Sequence, residues 1–170
     1  MSKNLRKALM MLVLFVGCIL IRPDQSYAAT PFALYEGDEL IGWYSDMMSA
    51  FAQMTEADGE YLVIMESNET ACNVNDDYSW PKVKSIEIKS ETGGFGLYAS
   101  GKQTINSDLI LDGPNVYSSE IDIQSNKLVL KNNVQIRSGN VIGDTGSVVE
   151  KCVGSSMSVF LMEVWILILY

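Results

Sequence analysis

The sequence predicts a mainly β protein in which short antiparallel strands stack as a roll, a jellyroll or solenoid-like repeats, preceded by a small acidic α+β segment. Three observations predict this class. From Val83 onward, apolar and polar residues alternate with a period of two, as in strands with one buried face. Turn-forming pairs such as Gly93-Gly94 and Asn132-Asn133 separate these runs. A repeat offset by 19 residues aligns residues 108–113 with 127–132, and units of this size bury an apolar face only by stacking.

The N-terminus has the layout of a secretory signal. Lys3, Arg6 and Lys7 precede an apolar run over residues 8–21, and a polar stretch then ends at Ala28. This order of charged, apolar and small residues is typical of a signal peptide. We therefore expect residues 1–28 to be removed after Ala28 and the protein to be exported. The alternative is an uncleaved membrane anchor, although the apolar run is shorter than the roughly 20 residues that a spanning helix needs.

Composition excludes several function classes. The chain of 170 residues has no histidine, 12 Lys or Arg and 21 Asp or Glu, for a formal charge of -9. Without histidine it cannot build a Ser-His-Asp or Cys-His nucleophile system. Its acidity argues against binding nucleic acid, which needs a basic face. Asp76-Asp77 lacks the alternating ligands of a calcium loop. We predict no catalytic residue, no metal site and no cofactor.

Residues 29–81 form an acidic segment. They contain 11 acidic residues and no Lys or Arg, whereas residues 82–155 contain eight of each sign. This shift places a boundary at Trp80-Pro81. Within the segment, apolar residues recur at helical spacing and predict one helix over residues 39–54, capped at Asp38 and Glu39. Its methionines are interpreted as core packing, and a short strand is predicted over residues 61–65.

Two cysteines remain if the signal is removed. Cys72 and Cys152 would then lie in a compartment where disulfides persist. Either they form one bridge, or they are two small buried thiols. The sequence leaves both alternatives open, because pairing depends on the separation of the two Cα atoms.

The strands of residues 82–155 carry a family resemblance. Residues 117–136 read YSSEIDIQSNKLVLKNNVQI, a strand, a polar turn, an apolar strand and a further strand. This stretch resembles the OstA-like repeat of the periplasmic lipopolysaccharide-transport proteins, and the resemblance extends over about residues 85–149. The family's Gly-Asn-Val step is here Asn132-Asn133-Val134, in which Asn132 can adopt the left-handed backbone in place of glycine.

The resemblance implies a non-enzymatic periplasmic protein with an open β-jellyroll. Its apolar inner face would hold the acyl chains of a lipid or lipopolysaccharide, and its edge strands would pair with those of like proteins. Burial of each methylene contributes about 0.8 kcal/mol to such binding. The residues expected to line the trough are Leu109, Leu111, Ile121, Ile123, Leu128, Leu130, Val134 and Ile136.

Two other functions stay open on the residues alone. A small β-solenoid surface, adhesion or scaffold module would place the same apolar residues in a filled core, because periodicity does not distinguish a core from a trough. A hydrolase with paired carboxylates is the weakest hypothesis. Its candidate carboxylates are Asp108, Asp112, Glu120 and Asp122.

Residues 156–170 form an apolar C-terminal segment. It follows Gly154-Ser155 and is too short to span a bilayer as a helix. Three interpretations remain: a final strand buried on both faces, an interfacial or partner-docking segment, or a tail that is not part of the native fold.

Overall fold

The computed structural model describes residues 32–65, 72–73, 77–90, 96–152, 155–162 and 167–169. The predicted signal peptide at residues 1–28 lies outside the described residues. Within them the chain forms fourteen strands and one short helix, α1. Their bounds are β1 Phe32–Glu36, β2 Glu39–Tyr44, α1 Met47–Phe51, β3 Glu60–Met65, β4 Cys72–Asn73, β5 Tyr78–Ser79, β6 Ser85–Ser90, β7 Gly96–Thr104, β8 Asp108–Asp112, β9 Asn115–Asp122, β10 Lys127–Lys131, β11 Gln135–Ile142, β12 Val148–Lys151, β13 Ser156–Met162 and β14 Leu167–Leu169.

The strands form two sheets. The long sheet has the order β14-β12-β10-β8-β6-β3-β1-β2, and the short sheet has the order β13-β11-β9-β7-β4, with β5 also paired to β7. From β6 onward, successive strands alternate between the two sheets. Each complete coil of the chain therefore adds one strand to each sheet. This stacked, two-sheet arrangement is solenoid-like. The predicted mainly β class with solenoid-like repeats is confirmed.

The repeat strands are parallel, not antiparallel as expected. Leu128 pairs with Leu109 and Lys131 with Asp112, so the 19-residue repeat in the sequence is the strand register itself. The turns between the repeat strands are not hairpin connections, which would make consecutive strands antiparallel neighbours. Instead, each turn carries the chain across to the other sheet, and equivalent strands of successive repeats then lie side by side in the same direction. The predicted antiparallel roll or jellyroll is therefore wrong for the repeats.

Turns from the long sheet to the short sheet need left-handed backbone. Gly113, between β8 and β9, has φ of +92°, while Asn132 and Asn133, between β10 and β11, have φ of +47° and +63°. Asparagine tolerates this region better than other residues with a Cβ atom. Asn132 thus occupies the conformation that its position in the repeat predicts.

The predicted helix over residues 39–54 is confirmed only for Met47–Phe51 and is wrong on both sides of it. Residues Glu39–Tyr44 form β2, which pairs antiparallel with β1 across the Gly37-Asp38 turn. Gly37 has φ of +56°, a conformation that suits a tight hairpin turn. The helix begins only at Met47, and its N-cap is Asp46, whose carboxylate accepts a 2.7 Å hydrogen bond from the backbone N–H of Ser49.

Helix α1 packs against one end of the core. Met47 and Phe51 are buried, and the Phe51 ring lies 4.8 Å from that of Trp80. The interpretation of the methionines as core packing is confirmed for Met47 and Met54. Strand β3 pairs in register with β6, so the long sheet continues across the Trp80-Pro81 boundary. The acidic segment is therefore one end of the same two-sheet fold.

The C-terminal segment continues both sheets. Strand β13 pairs parallel with β11, and β14 pairs parallel with β12. Their backbones add one more strand to the stack on each side. Of the three interpretations of residues 156–170, strand formation is the one that the backbone pairing matches.

The two cysteines lie far apart along the stack. Cys72 is in β4, while Cys152 follows β12, in the turn of chain that also supplies β13. Four strand spacings of about 4.8 Å separate β4 from β13, or about 19 Å. A disulfide needs Cα atoms roughly 4.4–6.8 Å apart. A bridge within one chain does not fit this fold, and Cys152 is an exposed free thiol and not a buried one.

Candidate functional site

The eight residues predicted to line a lipid trough face the interior between the two sheets. All eight are at most 4% exposed and belong to one continuous core cluster. Leu128, for example, stacks between Leu109 and Val149 of the neighbouring strands. The structure therefore brings the predicted residues together, but as a filled core and not as an open trough. The set is Leu109, Leu111, Ile121, Ile123, Leu128, Leu130, Val134 and Ile136.

One small cavity lies among them. Its volume is about 20 Å³, and its lining includes five of the eight residues together with Trp80 and Gln103. The indole N–H of Trp80 donates a 3.0 Å hydrogen bond to the Gln103 side chain. A space of this size holds about one water molecule, whereas pockets for drug-sized ligands measure roughly 300–1,000 Å³. The cavity is too small for an acyl chain.

The four candidate catalytic carboxylates do not face one another across a cleft. Asp108 and Asp112 lie in the long sheet, while Glu120 and Asp122 lie in the short sheet. Asp108 accepts a 2.9 Å hydrogen bond from the backbone N–H of Lys127. The ammonium group of Lys102 lies 3.0 Å from Glu120 and 2.8 Å from Asp122. The contacts of these carboxylates are therefore ion pairs and a hydrogen bond to the backbone, which stabilise the fold.

The ionisation of Asp122 also argues against an acid–base role. Burial raises the pKa of Asp122, but hydrogen bonds from Lys102 and from the backbone N–H of Gln124 outweigh it and hold the pKa below its ordinary value. The hydrogen bond to Asp122 in turn raises the pKa of Lys102. A general acid or base at neutral pH works best with a pKa near 7, and both shifts lead away from that value.

An aromatic ladder lies on the outer face of the short sheet. Tyr98 and Tyr117 are in register, and their rings stack 4.8 Å apart with only 6° between their planes. The guanidinium group of Arg137 lies 5.7 Å from the centre of the Tyr117 ring. Because the ring faces are used in these contacts, the ladder is better suited to stabilising the sheet than to offering a flat aromatic surface to a ligand.

Strand β2 is one edge of the long sheet, and among the residues that the structure describes it pairs only with β1. Among the residues whose side chains the structure describes, four large apolar side chains are exposed, and three of them, Leu40, Ile41 and Trp43, lie on β2. A bulge explains their arrangement: Leu34 pairs with Gly42 and Tyr35 with Leu40, which leaves Ile41 as an extra residue.

The bulge places Leu40 and Trp43 on the same face of the sheet. Residues three apart in a strand normally point to opposite faces of the sheet. Because the bulge adds Ile41 as an extra residue, Leu40 and Trp43 point to the same face. Leu40 pairs with Tyr35, and Trp43 pairs with Ala33, which is fully buried between Trp43 and Ile64. The outer face of β2, β1 and β3 thus carries an apolar surface that we name the edge patch. It consists of Tyr35, Leu40, Trp43, Leu62 and Ile64.

Carboxylates lie at both ends of β2. Asp38 and Glu39 are exposed at its start, where Glu39 pairs directly with Glu36 of β1. Like charges in directly opposed positions destabilise a strand pair. Asp46 is exposed just beyond the other end of β2, and its pKa is lowered, mainly by the hydrogen bond from the Ser49 backbone N–H, so it is charged at neutral pH. An apolar edge is therefore flanked by negative charge.

Sequence patterning does not predict the edge patch, because the apolar spacing of residues 39–44 favours a helix where the structure has β2. A signal was present: two runs with β-forming residues, 32–36 and 39–44, are separated by Gly37-Asp38, a two-residue hairpin signal. The helical spacing of Leu40, Tyr44 and Met47 concealed it, since these residues divide between a strand and a helix that follow each other closely.

Two searches of the described part of the chain were negative: no cluster of three or more Cys, Asp and Glu residues could hold a metal ion, and no helix is long and apolar enough to cross a membrane. Comparison of the chain with protein-family models, with curated proteins and with solved structures found no match. The OstA-like resemblance therefore stays a prediction, and the fold is that of a β-solenoid-like protein with a filled core and an exposed apolar strand, β2, at one edge of the long sheet.

Proposed function

We propose that the protein is an exported, non-enzymatic β-solenoid scaffold module that binds an extended segment of a partner polypeptide along β2. The observation that supports this function most strongly is the concentration of exposed apolar side chains on β2, an edge strand whose outer side pairs with no other strand of the described residues. An edge strand presents unpaired backbone N–H and C=O groups, and these can pair with an added strand. In such complexes, backbone hydrogen bonds supply affinity and side-chain contacts supply specificity.

The interior favours this function over lipid transport. Acyl chains would need a continuous apolar space, but the side chains expected to surround it pack against one another. The cavity of about 20 Å³ among these side chains offers no such space. The edge patch, in contrast, is already accessible, and a contiguous exposed apolar surface is typical of an interaction site.

A binding screen with two matched variants tests the proposal. The probes are extended peptides with β-branched residues at alternate positions and varied charge. We expect at least one peptide to bind the parent protein, and we expect Leu40→Ser with Trp43→Ser to weaken it about 30-fold, because central aromatic contacts often contribute about 2 kcal/mol or more. Tyr98→Ser is the control, since Tyr98 is 43% exposed on the other sheet and Trp43 is 45% exposed.

Circular dichroism and urea unfolding would confirm that the variants remain folded. Failure of every peptide to bind the folded parent would contradict the proposed function. So would an equal loss of binding in Tyr98→Ser, because the contact would then not be specific to β2.

A further inference from the structure

We infer that the segment recognised at β2 is cationic at both of its ends and apolar between them. This inference rests on the proposed function and adds the chemistry of the partner. It follows from three features of one short strand: a backbone edge that no other strand of the described residues covers, an apolar centre, and carboxylates at each end.

The apolar centre of β2 determines which residue types we expect in the middle of the partner segment. Leu40 and Trp43 are 42% and 45% exposed on the outer face, and a strand added beside β2 would bring every second side chain onto that face. Apolar or β-branched residues at those positions would cover the edge patch. The six residues of β2 span about 20 Å, so the partner segment needs about six to nine extended residues.

The carboxylates at the two ends of β2 determine which charge we expect at the ends of the partner segment. Asp38 and Glu39 are exposed at one end and Asp46 at the other, and β1, β2 and α1 contain no Lys or Arg. A lysine or arginine at either end of an added strand would therefore meet a carboxylate. It would also reduce the repulsion between the directly paired Glu36 and Glu39.

The same charges disfavour a second copy of this chain as the occupant. If two β2 strands paired antiparallel about a twofold axis, the Glu39 end of each would lie beside the Asp46 end of the other. Both ends of the shared interface would then bring like charges together, which opposes association. A cationic segment from another polypeptide meets attraction at the same places.

Two matched peptides of about nine residues test the inference. Each has alternating valine and threonine in its centre and blocked termini, and they differ only in carrying two lysines or two glutamates at each end. With the full folded protein in low salt, we expect the lysine peptide to bind about a hundredfold more tightly than the glutamate peptide. We also expect this difference to shrink as salt is raised, because exposed charges are screened.

Charge variants of the protein locate the effect. Asp38→Asn with Glu39→Gln should weaken binding of the lysine peptide about fivefold. The control, Asp144→Asn with Glu150→Gln, removes the same net charge at exposed or half-exposed positions between β11 and the end of β12, far along the stack from β2. It should change the affinity by less than about twofold.

The outcomes separate this inference from the proposed function. If both peptides bind the parent equally and Trp43→Ser abolishes the binding of both, the cationic partner is overturned. In that case β2 is still a docking edge. Peptide binding that Trp43→Ser does not change would overturn both. If neither peptide binds while another peptide of the wider screen binds at β2, the cationic partner alone is overturned, and if no peptide of the screen binds, both are. A stable dimer of the free protein at neutral pH that Trp43→Ser dissociates would replace the cationic partner with a second copy.

Discussion

Replacement of Leu128 with alanine is expected to lower the free energy of unfolding by about 2–5 kcal/mol, which is the usual range for this change in a packed core. Leu128 is completely buried, and it lies between Leu109 and Val149 on the two neighbouring strands. Since the side chains on both sides are held in register by backbone pairing, they cannot move in to fill the space. The loss should therefore fall in the upper part of that range.

The measurement is urea unfolding, with Val129→Ala as the control. Val129 follows Leu128 in β10 but points to the outer face, where it is half-buried. Its replacement should cost less than about 1.5 kcal/mol. A loss below about 1 kcal/mol for Leu128→Ala would contradict a filled core, because a side chain lining an open trough leaves little new cavity when it is shortened.

Replacement of Gly113 with alanine is expected to destabilise the protein by about 2–3 kcal/mol. Two effects combine at this turn. The backbone has φ of +92°, which strains any residue with a Cβ atom, and an added Cβ would lie 2.9 Å from the carbonyl oxygen of Ser90. That oxygen belongs to the backbone of β6, so relief of the contact requires the neighbouring turns of the solenoid to separate.

Gly146→Ala separates the two effects. Gly146 has φ of +98°, but an added Cβ would meet nothing within 4 Å. Its replacement should cost only the backbone strain, about 1 kcal/mol, and the difference between the two variants measures the contact between turns. Equal losses in thermal or urea unfolding would show that the β6 and β8 turns are not stacked as closely as the structure places them.

The sequence predicted the repeats well because the spacing between equivalent apolar residues is the same as the offset between paired strands. Leu109 and Leu128 are equivalent both in the 19-residue repeat and in the strand pairing. The direction of pairing could not be predicted in the same way. A turn containing Asn132 and Asn133 is compatible with a hairpin and with a corner between sheets, and only the packing of the whole chain decides between them.

The candidate site was less predictable than the fold. Ile121 and Leu130 face the interior from opposite sheets, and their strand patterns indicate only that each has an apolar face; whether the space between them is a trough or a core depends on how closely the two sheets approach each other. The edge patch depends on a bulge at Ile41 and on the position of β2 at the end of the sheet. Both follow from long-range pairing, which local patterning does not contain.

Hydrogen exchange along β2 tests the central claim most directly. In the free protein, the amides of Leu40 to Tyr44 that point away from β1 have no strand partner within the described part of the chain and should exchange rapidly. When the lysine-ended peptide is present, we expect those amides to exchange much more slowly, because an added strand accepts their hydrogen bonds, while exchange along the outer face of the short sheet stays unchanged. Peptide binding that protects residues of the short sheet or the core, and leaves β2 unprotected, would contradict the account.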